Sequence, residues 1–356
     1  MKHVAFFEPR YLPDAPNVWR VQGGSRYPSI LGDLHQHARI TLLMSGLPPK
    51  DDPHRCRLEQ QFGVAFARLE SIDDAREAAL PTMTADYRDA IAERAPDVVS
   101  TLNGRMIGYN FALARAARAE GVDYVYRLAG NDLASRGAVA EAEGRPFYGT
   151  ALYAGLAAQD RYAMEAARTV IAMGEGERLR AAPIVSDPDK IAVCRRGVDL
   201  DHFAPAETAP ERCDRFLFVG RDSAEKGIEL LERAADLAAR LRPAISVSFA
   251  GDLAPRDAPQ RHYPGFVGYD DLPRLYREHH ALVLAASSEG FPQVVMEAMA
   301  CGRPAILPRA LFAQDFPTED AALLVDLDAE AIAEGMVALH DDPARHAAMR
   351  EAALAR

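Results

Sequence analysis

Long apolar runs, paired cysteines and tryptophan are scarce or missing in this sequence of 356 residues. The longest apolar run covers about residues 281–286, whereas a membrane-spanning helix needs roughly 18–20 apolar residues. The four cysteines are scattered and form no CxxC pair, which argues against structural zinc and is typical of reduced thiols. They are Cys56, Cys194, Cys213 and Cys301.

The N-terminal residues MKHVAFFEP lack the long apolar segment and the small-residue cleavage site of a secretory signal. They are instead typical of a first buried strand. We therefore expect a cytoplasmic protein whose contact with membranes is at most peripheral. Nothing in the sequence indicates an oligomeric state.

Lysine is rare, and its distribution is informative. The four lysines are Lys2, Lys50, Lys190 and Lys226. The formal net charge of −11 disfavours nucleic acid as a partner. The whole of this charge comes from residues 199–356, which contain 16 basic and 27 acidic residues. Lys226 is the only lysine in that acidic half, which points to a role that arginine would not fill.

Apolar strand-like runs alternate with helical patterns along the chain, which is typical of α/β proteins. In the first half the predicted strands are HVAFF (3–7), ARITLLM (38–44), DVVST (97–101), DYVYRLA (123–129) and TVIAM (169–173). In the second half they are FLFVG (216–220), ISVSFAG (245–251), ALVLAAS (281–287) and PAILP (304–308). Helices are predicted at 109–121, ending on a glycine cap, at 226–241, at 272–280 and from Pro292 onward.

Residues 199–212, DLDHFAPAETAPER, lose all periodicity and contain two prolines, which is typical of a linker. The sequence therefore predicts two doubly wound, Rossmann-like domains, 1–198 and 213–356, that face each other across a cleft. Ligands of such sheets bind at the carboxyl ends of the strands, so we expect the functional residues directly after strands.

The segment GRDSAEKG (220–227) directly follows a predicted strand and leads into a helix. Arg221 and Lys226 lie on either side of this turn. The N-terminus of a helix favours an anion, and two cations beside it are suited to a diphosphate. The alternative is that both are solvated cations beside an ordinary turn.

The segment SSEGFPQVVMEAMACGRP (287–304) places Glu289 at the end of a strand and Glu297 inside the following helix. Pro292 suits the first position of that helix. Ionised carboxylates accept hydrogen bonds from vicinal hydroxyls, such as those of a ribose or a hexose. The alternative is that one glutamate is a surface charge and the other a helix former.

Residues 213–308 resemble the donor lobe of retaining glycosyltransferases of family 4, which have the two-lobed GT-B fold. EGFPQVVMEAMACGRP resembles the E-x7-E signature of that family, and FVGRDSAEKGIELL resembles its diphosphate-binding turn. VIAMGEGERL and KIAVCRRGVDLDHFAP are similar to the end of the acceptor lobe and its exit into the linker.

The resemblance implies a role for each residue of these motifs. Glu297 would hold the nucleotide ribose, and Glu289 the transferred sugar. Arg221 and Lys226, beside Gly220, would bind the diphosphate. The loop of Gly290, Phe291 and Pro292 would present backbone N–H groups to sugar or phosphate oxygens.

The reaction implied is transfer of a hexosyl group from a nucleotide-diphosphate sugar to an acceptor hydroxyl, with retention and without a metal or cofactor. The acceptor is open among saccharides, lipid-linked sugars and small molecules. Two alternative functions would use the same donor lobe. One is a sugar-nucleotide epimerase or phosphorylase, and the other is a non-catalytic nucleotide-sugar-binding module. A nicotinamide oxidoreductase is disfavoured because the GxGxxG fingerprint is absent.

Candidates in the first lobe are less specific. Gly23 and Gly24 resemble a glycine pair that lets the acceptor lobe approach the donor, although an ordinary loop is the alternative. Where many family members carry a histidine, this chain offers only Arg127, Asn131 and Asp132. The chain also departs from the family pattern in having Arg196 in place of an asparagine, and the long final helix that the resemblance implies does not lie within the 356 residues, whether or not that is natural.

Three DxD patterns and two histidine pairs carry less weight. The DxD patterns, typical of metal sites in another glycosyltransferase fold, begin at Asp187, Asp199 and Asp326, and each is interpreted as a pair of solvated turn carboxylates. His35 with His37 and His279 with His280 lack a third ligand nearby, so no metal site is predicted.

Overall fold

The computed structural model describes residues 1–8, 31, 34–44, 47–69, 80–101, 107–128, 132–195, 197–208, 210–256 and 258–356. The chain divides into two compact units. The first comprises residues 1–137 and 145–196, and the second comprises residues 138–144 and 197–356.

The first unit contains a seven-stranded parallel sheet with the strand order β3-β2-β1-β4-β5-β6-β7. Its strands are β1 (Lys2–Glu8), β2 (Ala38–Met44), β3 (Ala65–Arg68), β4 (Val98–Thr101), β5 (Asp123–Arg127), β6 (Thr169–Ala172) and β7 (Ile191–Val193). Among the described residues before 196, the helices are α1 (Leu34–His37), α2 (Pro53–Phe62), α3 (Leu80–Arg94), α4 (Ile107–Glu120), α5 (Asp132–Ala142), α6 (Ala151–Ala166) and α7 (Glu175–Ala181). Gly121 follows α4 with φ +68°, as predicted for a glycine cap.

The second unit contains a six-stranded parallel sheet with the strand order β10-β9-β8-β11-β12-β13. Its strands are β8 (Arg215–Val219), β9 (Ser246–Ala250), β10 (Arg261–Gly265), β11 (Ala281–Val283), β12 (Ala305–Pro308) and β13 (Ala322–Val325). Its helices are α8 (Ile228–Leu241), α9 (Leu272–Glu278), α10 (Gln293–Ala300), α11 (Arg309–Phe312), α12 (Ala329–Asp341) and α13 (Pro343–Leu354). Two parallel, Rossmann-like sheets confirm the predicted α/β class.

Part of the core of the second unit is formed by its sheet and the apolar stripe of α8. Phe216, Phe218 and Phe249 on β8 and β9 are fully buried. Burying each such side chain contributes about 1.5–3 kcal/mol. The stripe predicted for α8 is confirmed, because all four of its members are buried: Ile228, Leu231, Ala235 and Ala238.

Residues 199–212, predicted as a linker, contain turns but neither helix nor strand wherever the structure describes them. Phe203 is only 1% exposed and belongs to the core of the second unit. The His202 ring stacks on Tyr269 with ring centroids 4.6 Å apart. This stretch therefore belongs to the second unit, and Phe203 packs into its core.

No helix among the described residues is both long and apolar enough to cross a membrane.

Three histidines are buried near the amino end of β11. His280 Nδ1 accepts a hydrogen bond from the backbone N–H of Asp214 at 2.9 Å. His346 Nε2 donates to the carbonyl of His280 at 2.9 Å, and His279 is held by Leu275 O and Ser248 Oγ at 2.7 Å each. Burial lowers the pKa of all three, and that of His280 falls to about 3 because Arg215 and Arg303 add to the effect.

We expect the free energy of unfolding of the second unit to fall as pH drops below about 6.5, because His280 is buried in its neutral form. The unfolded chain protonates His280 near its ordinary pKa of 6.5, while the folded state resists protonation down to about 3. This stabilisation is complete above pH 6.5 and is lost as pH falls, by about 1.4 kcal/mol per pH unit for one such group. Urea unfolding at pH 7.5 and 5.5 measures the slope.

His280→Asn keeps an acceptor for the Asp214 N–H and should flatten that slope. The matched control is His262→Asn on an exposed residue, which should leave it unchanged. Equal slopes in the wild type and His280→Asn would contradict the assignment.

Candidate functional site

The predicted site residues of the second unit follow two strands that are neighbours in its sheet. β8 lies directly beside β11, with Ala281 paired to Phe216 and Leu282 to Leu217. Successive strands run outward in opposite directions from this pair, which makes it the topological switch point of the sheet. The segments after β8 and β11 therefore meet at the position where ligands of such sheets bind.

The turn between β8 and α8 packs against the segment that follows β11. Residues 224–226 form a 3₁₀ turn, and Gly227 ends it with φ +65°. The N–H of Ser287 donates to the carbonyl of Glu225 at 2.9 Å. A Cβ on Gly227 would lie 2.2 Å from the carbonyl oxygen of Ala285. Glycine is thus required here both by the conformation and by the close backbone approach.

Gly227→Ala is expected to destabilise the second unit by about 2–4 kcal/mol, because left-handed strain and a clash with backbone act together. Thermal unfolding measures this loss. The matched control is Gly268→Ala, since a Cβ there meets nothing within 4 Å and Gly268 has φ −66°. Equal melting temperatures for the two variants would show that the turn can move away from Ala285.

Lys226 and Glu289 form a direct ion pair, with Lys226 Nζ against Glu289 Oε1. Their side chains are 17% and 16% exposed, so the pair is partly withdrawn from water. The sequence predicts that both residues belong to one site, and the structure brings them into contact across 63 positions of chain. Such a pair fixes the ammonium at the end of the two central strands.

Arg221 is more accessible than Lys226, with a side chain that is 72% exposed. Its Nη2 lies 3.9 Å from Glu225 Oε1, and the Glu225 side chain is 5% exposed. An exposed ion pair of this length contributes little to stability. The guanidinium is compatible both with binding an incoming anion and with a solvated surface charge.

Gly220 and Gly251 allow the ends of β8 and β9 to approach closely. Gly220 N–H donates to Ala250 O at 3.0 Å. A Cβ on Gly251 would lie 1.9 Å from the Gly220 carbonyl oxygen, and Gly251 has φ +154°. This close packing keeps the start of the turn free of side chains.

The loop after Glu289 differs from the prediction in one detail. Pro292 is the N-cap of α10, with ψ 126°, and the helix begins at Gln293. The Phe291 ring stacks on Phe316 with centroids 6.0 Å apart, so its side chain packs onto the core. Gly290 is buried. The difference arises because proline at the cap adopts extended backbone and leaves the first turn of the helix to the residues after it.

Glu297 lies within α10 and is 4% exposed, so it is not a surface charge. The hydroxyl of Tyr276, on α9, donates to Glu297 Oε2 at 2.9 Å. Burial, followed by the charge of Glu297, raises the pKa of Tyr276 well above its usual range. Tyr276 therefore remains a hydrogen-bond donor at ordinary pH.

Sequence reasoning did not single out Tyr276. The only available signal was a tyrosine on an apolar helical stripe, where packing is the commoner reason for an aromatic residue.

The first-unit candidates are only partly described. Gly23, Gly24 and Asn131 lie outside the described residues, and so does Arg196. Asp132 begins α5, but its side chain is outside the described part.

Arg127 ends β5 and is 7% exposed. Its Nε and Nη2 lie 3.4 and 3.2 Å from Met173 Sδ. Of the first-unit candidates, Arg127 is the one whose side chain the structure describes.

The DxD aspartates have structural partners. Asp187 accepts from the N–H of Asp189, and Asp199 accepts from the N–H groups of Asp201 and His202, all at 3.1 Å. Asp328 caps α12 through the N–H of Ala331 at 2.7 Å. Three of these carboxylates are therefore local turn or helix caps. Within the described ranges, no group of three or more candidate metal ligands occurs.

Comparison with known proteins gives the fold of the chain and a match to one family model over residues 201–356. Residues 201–356 match the sequence model of the family Glycosyl transferases group 1. The chain is 32% identical over 210 residues to the D-inositol 3-phosphate glycosyltransferase of Pseudarthrobacter chlorophenolicus, which covers 49% of this chain and 49% of that protein. The chain thus spans about half the length of the curated relatives that it matches.

Solved structures resemble the chain over its whole length. HepE of Anabaena in complex with UDP and glucose has a TM-score of 0.71 at 14% identity and covers 100% of this chain and 94% of its own. Sucrose-phosphate synthase of Thermosynechococcus elongatus has a TM-score of 0.73 at 18% identity, with the same coverage. The predicted GT-B fold is confirmed, and within it residues 201–356 match the Glycosyl transferases group 1 family.

Proposed function

We propose that this protein is a retaining, metal-independent glycosyltransferase of the family 4 type, which moves a hexosyl group from a nucleotide-diphosphate sugar to an acceptor hydroxyl. The observation that carries the proposal is the Lys226–Glu289 pair at the carboxyl ends of two adjacent central strands. The family match over residues 201–356 supports it.

The diphosphate leaving group would be stabilised by fixed positive charge. Lys226 is held at the strand ends, Arg221 is accessible beside it, and the N-terminus of α8 adds its dipole. Such preorganised charge is worth most where negative charge develops in the transition state. This arrangement supports the proposal that a nucleoside diphosphate departs without a metal.

In the transfer step the bond from the anomeric carbon to the diphosphate oxygen breaks, and the acceptor oxygen bonds to the same face of the sugar. The acceptor proton passes to an oxygen of the departing diphosphate. Glu289 would accept hydrogen bonds from sugar hydroxyls while holding Lys226, and it is not assigned as a nucleophile. Glu297 would accept the ribose hydroxyls.

Uridine nucleotide sugars are the first donors to test, because HepE of Anabaena was solved with UDP and glucose and with UDP-glucose. The curated relatives are named D-inositol 3-phosphate glycosyltransferases, so inositol phosphates are the first acceptors to assay.

A thermal-shift panel of UDP-, GDP-, ADP- and TDP-sugars tests the proposal. A ligand at 100 times its Kd stabilises the native state by about 2.7 kcal/mol, which corresponds to about 5–10 °C for a domain of this size. Sucrose at equal concentration controls for a general solute effect. Absence of a specific shift with every nucleotide sugar would contradict the proposal.

Product analysis separates the alternatives. An epimerase would convert the nucleotide sugar without an acceptor, and a phosphorylase would require inorganic phosphate. If the protein is a non-catalytic module, the nucleotide sugar would raise its melting temperature but would not be turned over.

A further inference from the structure

We propose that Tyr276 is a positioning residue for the donor nucleotide, acting through the carboxylate of Glu297. The inference deepens the proposed function and rests on it. It starts from the hydrogen bond of 2.9 Å between the Tyr276 hydroxyl and Glu297 Oε2.

Burial, a contact with a neighbouring ring and a backbone hydrogen bond hold Tyr276 in place. Its side chain is 1% exposed, and the Phe203 ring approaches it edge-on at 6.0 Å. Its carbonyl accepts from Arg303 Nε at 3.1 Å, and Arg303 is itself 3% exposed. A buried ring with an anchored backbone has little rotamer freedom, so its hydroxyl occupies one place.

This fixed hydroxyl determines the orientation of the Glu297 carboxylate. A carboxylate on α10 can rotate about its terminal torsion, which is broad in isolated side chains. Because one oxygen accepts from Tyr276, the plane of the group is set before a ligand arrives. A carboxylate that is already oriented can accept two vicinal hydroxyls without first losing rotational freedom.

The same bond also keeps Glu297 ready to accept hydrogen bonds. The Tyr276 hydroxyl donates to Oε2 at 2.9 Å, and each carboxylate oxygen carries two lone pairs, so this bond is compatible with further donors to the same group. An ionised carboxylate accepts hydrogen bonds at both oxygens, as a ribose requires. Tyr276 therefore contributes to recognition of the ribose without contacting it.

The test is calorimetric binding of UDP and 2′-deoxy-UDP to the wild type and to Tyr276→Phe. We expect the wild type to prefer UDP by about tenfold or more, since a hydrogen bond to a charged group is lost with the 2′-hydroxyl. In Tyr276→Phe the affinity for UDP should fall about tenfold while that for 2′-deoxy-UDP changes little, so the preference shrinks toward one. GDP and 2′-deoxy-GDP replace them if the thermal-shift panel selects guanine.

Tyr263→Phe is a matched control in the same unit. Tyr263 also donates to a buried carboxylate, Glu232 Oε1, at 2.7 Å, but it lies on the edge strand β10. This variant should lose stability comparable to Tyr276→Phe and keep the full preference for UDP. Glu297→Gln should remove the preference, and adding Tyr276→Phe to it should have no further effect on binding.

The outcomes are distinguishable. An unchanged preference in Tyr276→Phe, with the wild type binding UDP, would overturn the positioning role and leave the proposed function standing. Equal losses of affinity for both nucleotides would also overturn it, because they would indicate a general structural effect. No binding of any nucleoside diphosphate by the wild type would overturn both.

Discussion

Lys226→Met is expected to lower the turnover of a nucleotide sugar about 100- to 1,000-fold, the range seen when one preorganised charge-stabilising group is removed. Methionine keeps the length and apolar stem of the side chain and removes only the charge and its N–H donors. The leaving diphosphate would then develop its charge beside Glu289 without the compensating ammonium. Steady-state measurement of kcat and KM with the donor selected by the thermal-shift panel tests this result.

Two further variants sharpen the interpretation. Lys226→Arg should recover only part of the activity, because a planar guanidinium cannot occupy the position of a compact ammonium paired with Glu289. Lys50→Met makes the same change in charge at an exposed residue of the first unit and should leave turnover intact. If Lys226→Met and Lys50→Met had equal kcat values, the ammonium would have no part in the reaction.

Glu289→Gln is expected to lower kcat/KM for the nucleotide sugar about 100-fold while leaving the affinity for the free nucleoside diphosphate equal or higher. Glutamine preserves the shape of the side chain but replaces one acceptor oxygen with a donor. A charge-assisted acceptor for sugar hydroxyls is then lost, and with it the negative charge that faces Lys226.

Unfolding of the variant would weaken binding of both ligands. A fall in kcat/KM for the nucleotide sugar with undiminished affinity for the nucleoside diphosphate therefore indicates that Glu289 binds the sugar. A negative charge beside Lys226 competes with the diphosphate, so its removal cannot weaken diphosphate binding electrostatically. Glu334→Gln, on the exposed face of α12, is the matched control and should change neither quantity. A parallel fall in affinity for both ligands would place Glu289 in the diphosphate site instead.

The strands that the sequence did not predict are the four edge strands of the two sheets, β3, β7, β10 and β13. Interior strands of a parallel sheet are covered on both faces and form continuous apolar runs that a sequence pattern detects. RHYPG of β10 is polar, and IAV of β7 and ALLV of β13 are apolar runs of only three and four residues. The identity of such edge strands depends on a neighbour that is remote in sequence. β11 is also shorter than predicted, because the buried residues 284–286 continue beyond the ladder.

Part of the candidate site can also be predicted from the sequence, and part depends on the folded structure. The sequence predicts that the site residues directly follow strands, at the edge of the sheet where ligands bind, whereas the adjacency of β8 and β11 is known only from the folded sheet. The contact of Lys226 with Glu289 depends on side-chain conformations in the folded state, and the bond from Tyr276 to Glu297 depends on how α9 and α10 pack. Neither dependence leaves a periodic pattern in the sequence.

Isothermal titration of the wild type and Lys226→Met with the nucleoside diphosphate selected by the thermal-shift panel tests the central claim most directly. The account predicts one binding site per chain in the wild type and an affinity that is about tenfold or more lower in the variant, since a charge-assisted contact is lost. Absence of binding to the wild type, or equal affinity in the two proteins, would contradict it.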